Sequence, residues 1–192
     1  MTENEFIEQL KSKNAKAYTK LLDDFQQKVF STCMSFIPNK EDAEDVAQDV
    51  FVEIFNSINK FKGQSKLSTW IYRITTNKCL EFIRRKTTKK RFAFLQSLSG
   101  NAMPIDKSAY FTEFNHPGIV LENKEKSETL FHAINQLPEV QKIVFTLHKV
   151  DGKSYQEISD ITEKSLSSVE SLMFRAKKNL QKGLESYYKN EN

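Results

Sequence analysis

Residues 42–91 read DAEDVAQDVFVEIFNSINKFKGQSKLSTWIYRITTNKCLEFIRRKTTKKR, and their pattern decides the fold. Ala43, Val46, Ala47, Val50, Phe51, Ile54, Phe55 and Ile58 recur at steps that mostly alternate between three and four, which puts them on one stripe of an α-helix. Asp42, Asp45, Gln48, Asp49 and Glu53 fall largely off that stripe. Asn39 stands where it can cap this helix, and Glu41, Asp42, Glu44 and Asp45 load its first turn, where the helix dipole favours negative charge. Gly63, within FKGQSKL (61–67), interrupts the pattern. Ser65 or Ser68 can then cap a second helix through Leu67, Trp70, Ile71, Ile74, Leu80 and Ile83.

The second helix is one-sided in charge. Between Lys60 and Arg91, Glu81 is the single acid among eleven Lys and Arg, a run that repels itself unless a polyanion neutralises it. Phe61, Trp70, Tyr72 and Phe82 are interleaved with those cations. Cations that grip phosphates and rings on which bases stack are the ingredients of single-strand binding, although Trp70 and Phe82 also fit the core stripe. The acidic face of the first helix has an equally plain alternative as solvated surface.

Working outward, Phe6, Ile7 and Leu10, then Tyr18, Leu21, Leu22, Phe25, Val29 and Phe30, predict two further helices parted near residues 12–14 and ended by Pro38. From Phe92 to about Asn123 periodicity fails, and Pro, Gly and polar residues predict a linker. Order returns with Leu130, Ala133, Ile134 and Leu137, stopped by Pro138, and with Val140, Ile143, Val144 and Leu147, stopped by Asp151-Gly152. Ser154 and Glu157 form a capping box that opens a short helix with Ile158 and Ile161. After TEKS (162–165) a longer helix carries Val169, Leu172, Met173, Ala176, Leu180 and Leu184. A short helix, a tight turn and a longer helix make a helix-turn-helix pattern, though an αα-hairpin with a soluble face has the same outline. With 15 Phe, five Gly and four Pro in 192 residues, the expected class is all-α. The units are residues 1–93, a flexible linker at 94–124 and a helix-turn-helix unit at 125–192.

Cys33 and Cys79 have no CxxC partner, so neither a disulfide framework nor a zinc site is indicated, and they read as core thiols of a reducing compartment. No phosphate-cradling Gly loop, catalytic triad spacing or metal cluster appears, so neither catalytic residues nor a cofactor nor a small-molecule substrate is expected. No signal-type segment and no stretch near the ~20 apolar residues of a membrane span is found, so a cytoplasmic protein is expected.

DAEDVAQDVFVEIF, FKGQSKLSTWIYRITTNKCLEFIRR, LPEVQKIVFTLHKVDGKSYQEISDI and SSVESLMFRAKKNL, in this order and at this separation, resemble bacterial RNA polymerase sigma factors of the extracytoplasmic-function class. The resemblance implies that Asp42, Glu44, Asp45, Gln48 and Asp49 meet the β′ clamp helices of core polymerase, with the β flap as a further contact for the chain. It implies that the loop 61–67, through Phe61, Lys62, Ser65, Lys66 and Leu67, encloses an extruded base of the −10 element. Asn77 would hydrogen-bond that base, supported by Trp70, Tyr72 and Arg73, while Arg84, Arg85 and Lys86 hold phosphates. The linker would thread toward the polymerase active-site channel. The −35 duplex would be read by Ser154, Tyr155, Ser165, Ser167, Ser168, Glu170, Ser171, Phe174, Arg175, Lys177 and Lys178. An anti-sigma factor, membrane-bound or soluble, is a partner that members often have. Glu81 replaces the usual Asp, TEKS lacks the usual Gly, and Glu170 and Leu172 stand where many members carry Lys or Arg. Glu170 could close a capping box with Ser167 or accept from a cytosine amino group. Outside the resemblance, a stand-alone helix-turn-helix regulator and an RNA-binding protein are the competing readings.

Overall fold

The computed structural model describes the backbone of residues 2–98 and 124–190 and the side chains of 2–88 and 129–185. Every regular element in them is helical. The first unit comprises α1 (Glu3–Lys11), α2 (Ala15–Phe36), α3 (Lys40–Ser57, prolonged by a 3₁₀ turn at Ile58–Lys60) and α4 (Leu67–Leu98). The second comprises α5 (Lys124–Asn135), α6 (Glu139–Lys149), α7 (Tyr155–Thr162) and α8 (Leu166–Asn190). The expected linker at 94–124 lies mostly outside the described residues. Helix α4, however, runs past 93 to Leu98.

Local chemistry accounts for most boundaries. Thr2 and Glu5 form a reciprocal capping box at α1, and Asn14 Oδ1 accepts from the amides of Lys16 and Ala17 at the start of α2. Asn39 Oδ1 accepts from Asp42 N at 2.8 Å, as its position predicts. The start of α4 departs from expectation: neither Ser65 nor Ser68 caps it. Leu67 N donates instead to Glu3 Oε1 at 2.9 Å, a carboxylate brought from the other end of the unit. In the helix-turn-helix, Ser154 and Glu157 form the expected box, and the hydrogen bonds from Ser154 hold the Glu157 carboxyl below its usual range. The TEKS turn lacks glycine because Glu163 itself takes the left-handed conformation at φ 55°, with Lys164 N donating to Ser159 O.

The two units are packed on each other. α2, α3 and α4 enclose Leu21, Cys33, Val50, Ile54, Ile71 and Cys79, and this cluster continues without a break into Val144, Leu147, Ile158, Val169 and Met173 of the second unit. α4 lies along α7, and α2 meets α6. A smaller cluster of Phe131, Ile134, Leu137, Ala176 and Leu180 joins α5 to α8. The two cysteines, 46 positions apart, are both fully buried with their sulfurs 3.8 Å apart. The hydrogen bond to Cys33 and burial push the Cys79 thiol well up, so Cys79 stays protonated inside the packed unit.

Candidate nucleic-acid and protein-docking surfaces

The outward side of α3 is a continuous acidic face. Glu44, Asp45, Gln48 and Asp49 are exposed, held out by Ala43, Val46, Ala47 and Val50, which are buried on the opposite side. Asp42 belongs to this face in sequence but turns aside and pairs with Lys86 of α4. Two apolar side chains extend the face. Val52, one turn beyond Gln48 and Asp49, is 58% exposed, and Phe55 is 39% exposed although its spacing predicts a core position. Phe55 instead covers part of the surface between Tyr18, at 5.0 Å between ring centroids, and the Lys13 ammonium. Val52 was detectable in the sequence as an apolar residue off the stripe.

The basic aromatic helix α4 is less free than its sequence implies. Phe61 and Leu67 are buried at 5% and 3% exposure, so they anchor the ends of the 61–67 loop from inside and do not face a ligand, contrary to the expectation for both. Between them Gly63 takes φ 70°, which turns Lys62, Gln64 and Lys66 outward around the half-buried Ser65. Trp70 stacks obliquely on Phe61, 5.1 Å between centroids, and is half-buried. Asn77 is exposed on α4, and Thr76 on one side of it is buried.

Among the described residues, the cations on α4 already have carboxylate partners. Lys78 pairs with Glu53 at 3.0 Å and Lys86 with Asp42, so α3 and α4 neutralise each other along their shared edge. Arg84 engages both carboxylate oxygens of Glu139 at the start of α6. Arg73 donates to Glu163 at 2.5 Å and to the Asp160 carbonyl at 2.6 Å, both in or beside the helix-turn-helix turn. The Lys153 ammonium lies 3.9 Å above the Tyr72 ring. Three residues expected to serve single-stranded DNA, namely Tyr72, Arg73 and Arg84, therefore face the second unit. Lys62, Lys66, Asn77 and Arg85 face solvent.

Beneath these contacts lies a buried polar seam. Lys142 of α6 is 6% exposed, and its ammonium donates to Asn135 Oδ1 at 2.5 Å and to the Phe36 carbonyl at 3.4 Å. Burial lowers its pKa to about 8. Asp151 accepts from Ser35 Oγ at 3.1 Å, and burial pushes its carboxyl up against the opposing pull of hydrogen bonds from Thr32 and Ser35. No spacing rule could have found Glu139, Lys142, Asp151 or Glu163, because each acts across the two units.

On α8, Val169, Met173, Ala176 and Leu180 are buried, which turns Ser167, Ser171, Phe174 and Lys178 directly outward. Phe174 is 69% exposed, the most open large apolar side chain described. Ser168, Glu170, Arg175 and Lys177 are exposed on the shoulders of that stripe. Ser165 caps the helix: its Oγ accepts from Ser168 N at 3.3 Å, and its carbonyl accepts from Val169 N. Ser154 is exposed at the start of α7, and Tyr155 is half-buried, stacked on His148 at 4.8 Å. Among the described residues no helix is long and apolar enough to cross a membrane.

Residues 21–89 match the family model for Sigma-70 region 2, and residues 127–180 match that for Sigma-70, region 4. The ECF RNA polymerase sigma-E factor of Escherichia coli strain K12 is 27% identical over 177 residues, covering 92% of this chain and 91% of that protein. Its Haemophilus influenzae namesake is 26% identical over 185 residues, covering 96% of each. Among solved structures, CnrH in complex with the cytosolic domain of CnrY aligns with a TM-score of 0.65 at 19% identity, covering 96% of this chain and 97% of that one. RpoE in complex with the anti-sigma factor NepR from Bartonella quintana aligns with a TM-score of 0.59 at 21% identity, covering 89% and 98%.

Proposed function

The chain belongs to the extracytoplasmic-function class of the sigma-70 family, and from that premise we propose how its surfaces divide the work of initiation. As a sigma factor it binds core RNA polymerase and promoter DNA and directs promoter-specific transcription initiation. The acidic side of α3 is the polymerase-docking surface, with Glu44, Asp45, Gln48 and Asp49 meeting basic residues of the β′ clamp helices and Val52 as an apolar anchor beside them. The loop 61–67 and α4 take the melted −10 strand. Lys62, Ser65 and Lys66 line the loop, Asn77 reads the extruded base, Arg85 holds phosphate, and Tyr72, Arg73, Arg84 and Lys86 join once their present partners release them. A flipped base exposes its pairing edge, which is where sequence information lies. Residues 125–192 read the −35 duplex with the outward side of α8, and residues 94–124 connect the two parts. The chain performs no catalysis itself and works in the cytoplasm.

The observation that carries this reading is the combination, in one unit, of an exposed acidic face on α3, where Asp45 and Asp49 have no ion-pair partner among the described residues, with a cation-rich, aromatic α4. An anti-sigma partner, membrane-bound or soluble, belongs to the same proposal, since the fold is shared with a sigma factor that was solved with NepR bound. The test is run-off transcription with core polymerase. Wild-type protein should drive initiation from a discrete set of promoters. Asp45→Arg with Asp49→Arg should abolish both initiation and co-purification with core enzyme while leaving the melting temperature unchanged. Undiminished co-purification of that variant would exclude α3 as the docking surface. Tight promoter binding without core enzyme would favour the stand-alone regulator instead.

A further inference from the structure

In sequence, Glu170 has two possible roles, and the structure removes one of them. A capping box between Ser167 and Glu170 is not formed, because Ser165 caps α8 and both Ser167 Oγ and Ser168 Oγ lie within hydrogen-bond distance of its hydroxyl. Glu170 is exposed and, among the described residues, forms no hydrogen bond or ion pair. It sits on the shoulder of the outward stripe, one turn before Phe174. No cation stands between Ser165 and Phe174; Arg175, Lys177 and Lys178 begin only in the third turn. The leading part of this helix therefore presents hydroxyls, an aromatic ring and one carboxylate, and no cation.

A carboxylate in such a place has few partners. It repels phosphates, so it adds nothing to non-specific affinity. In the major groove guanine presents two acceptors and thymine an acceptor and a methyl group, all of which repel or ignore a carboxylate. Adenine offers an amino group, but its N7 acceptor lies alongside, and a matching pair of contacts needs a side chain that both donates and accepts. Cytosine presents its amino group without that adjacent acceptor. We propose that Glu170 is a specificity-determining residue of this sigma factor, selecting cytosine at one position of the −35 element through its N4 amino group. The proposal depends on α8 being the −35 reading helix.

The test is initiation by reconstituted holoenzyme on a promoter pool randomised across the −35 element, sequenced before and after run-off transcription. Wild type should prefer cytosine at one position by roughly fivefold to a hundredfold, the range of one base-edge contact. Glu170→Ala should level that position and leave the others unchanged. Glu170→Gln, whose amide both donates and accepts, should move the preference to adenine. Since Glu170 has no partner to lose, melting temperatures should not change. If Glu170→Ala instead raises initiation equally on all sequences, the carboxylate acts only by repelling phosphate, and the proposal fails. Preferences intact in wild type but identical in both variants also overturn it, while leaving α8 as the reader. No −35 preference in wild type overturns the reading of α8 itself.

Discussion

The two helices assigned to nucleic acid, α4 and α8, hold their charge in opposite ways. On α4, Arg73, Lys78, Arg84 and Lys86 are each matched by a carboxylate supplied from elsewhere in the chain. On α8 the outward side stands free, and its first nine residues carry no cation. The first helix is a basic surface that the protein occupies itself; the second is nearly neutral where it would meet base edges. Richness in Lys and Arg is thus a poor measure of how available a surface is. What counts is which acids the fold brings opposite it.

The comparison can be broken most sharply at Glu139 and Glu163. Replacing both with Arg sets like charges against Arg84 and Arg73, and the population with separated units should rise roughly tenfold or more. Small-angle scattering should then report a larger radius of gyration, and the free protein should gain affinity for a −10 single strand. An unchanged radius would mean that the shared apolar core, not the ion pairs, holds the units together.

A second handle is pH. The docked pKa of Lys142, about 8, lies below the ordinary 10.5, so the docked form binds fewer protons between those values. Lys142 should accordingly leave docking unchanged below 8 and strengthen it by up to about a hundredfold as pH rises from 8 toward 10.5, whereas Asp151, raised by burial, should weaken docking as pH rises above its ordinary 3.8. Lys142→Met should flatten that slope in the same scattering measurement. A slope of the opposite sign would mean that another group governs the seam.

Asn77→Ala addresses the exposed part of α4. It should slow promoter opening severalfold, the worth of one hydrogen bond, while altering general DNA binding little. Permanganate footprinting of the melted strand beside a filter-binding assay separates the two, and equal losses in both would count against base reading. The smallest effect is expected at Glu3→Ala, which removes the cap of α4 at a cost of about 1 kcal/mol. Thermal unfolding should show it as a drop of a few degrees with transcription preserved.

How much of this was legible in the sequence follows from the range of the interactions. The helices of both units, the Asn39 cap, the Ser154 and Glu157 box and the acidic side of α3 are fixed by residues within one or two turns, and periodicity finds them. The cap supplied by Glu3 to Leu67 spans 64 positions and the Cys33–Cys79 contact 46, and neither leaves a local trace. The TEKS turn looked irregular because the left-handed position is filled by Glu163, a residue then held by Arg73 of the other unit. Phe61 and Leu67 were assigned to the ligand through the family resemblance, which takes the loop 61–67 as a whole. The Gly63 turn folds both apolar ends inward.

The docked seam also has a consequence for concentration. A partner that needs the units apart binds only the fraction of molecules already open, and its apparent Kd is its intrinsic Kd divided by that fraction. If about one molecule in a hundred is open, an intrinsically nanomolar partner behaves as one of roughly 0.1 micromolar. The chain would then respond to an abundant, high-affinity partner and ignore scarce or weak ones, with Glu139, Lys142, Asp151 and Glu163 setting the threshold.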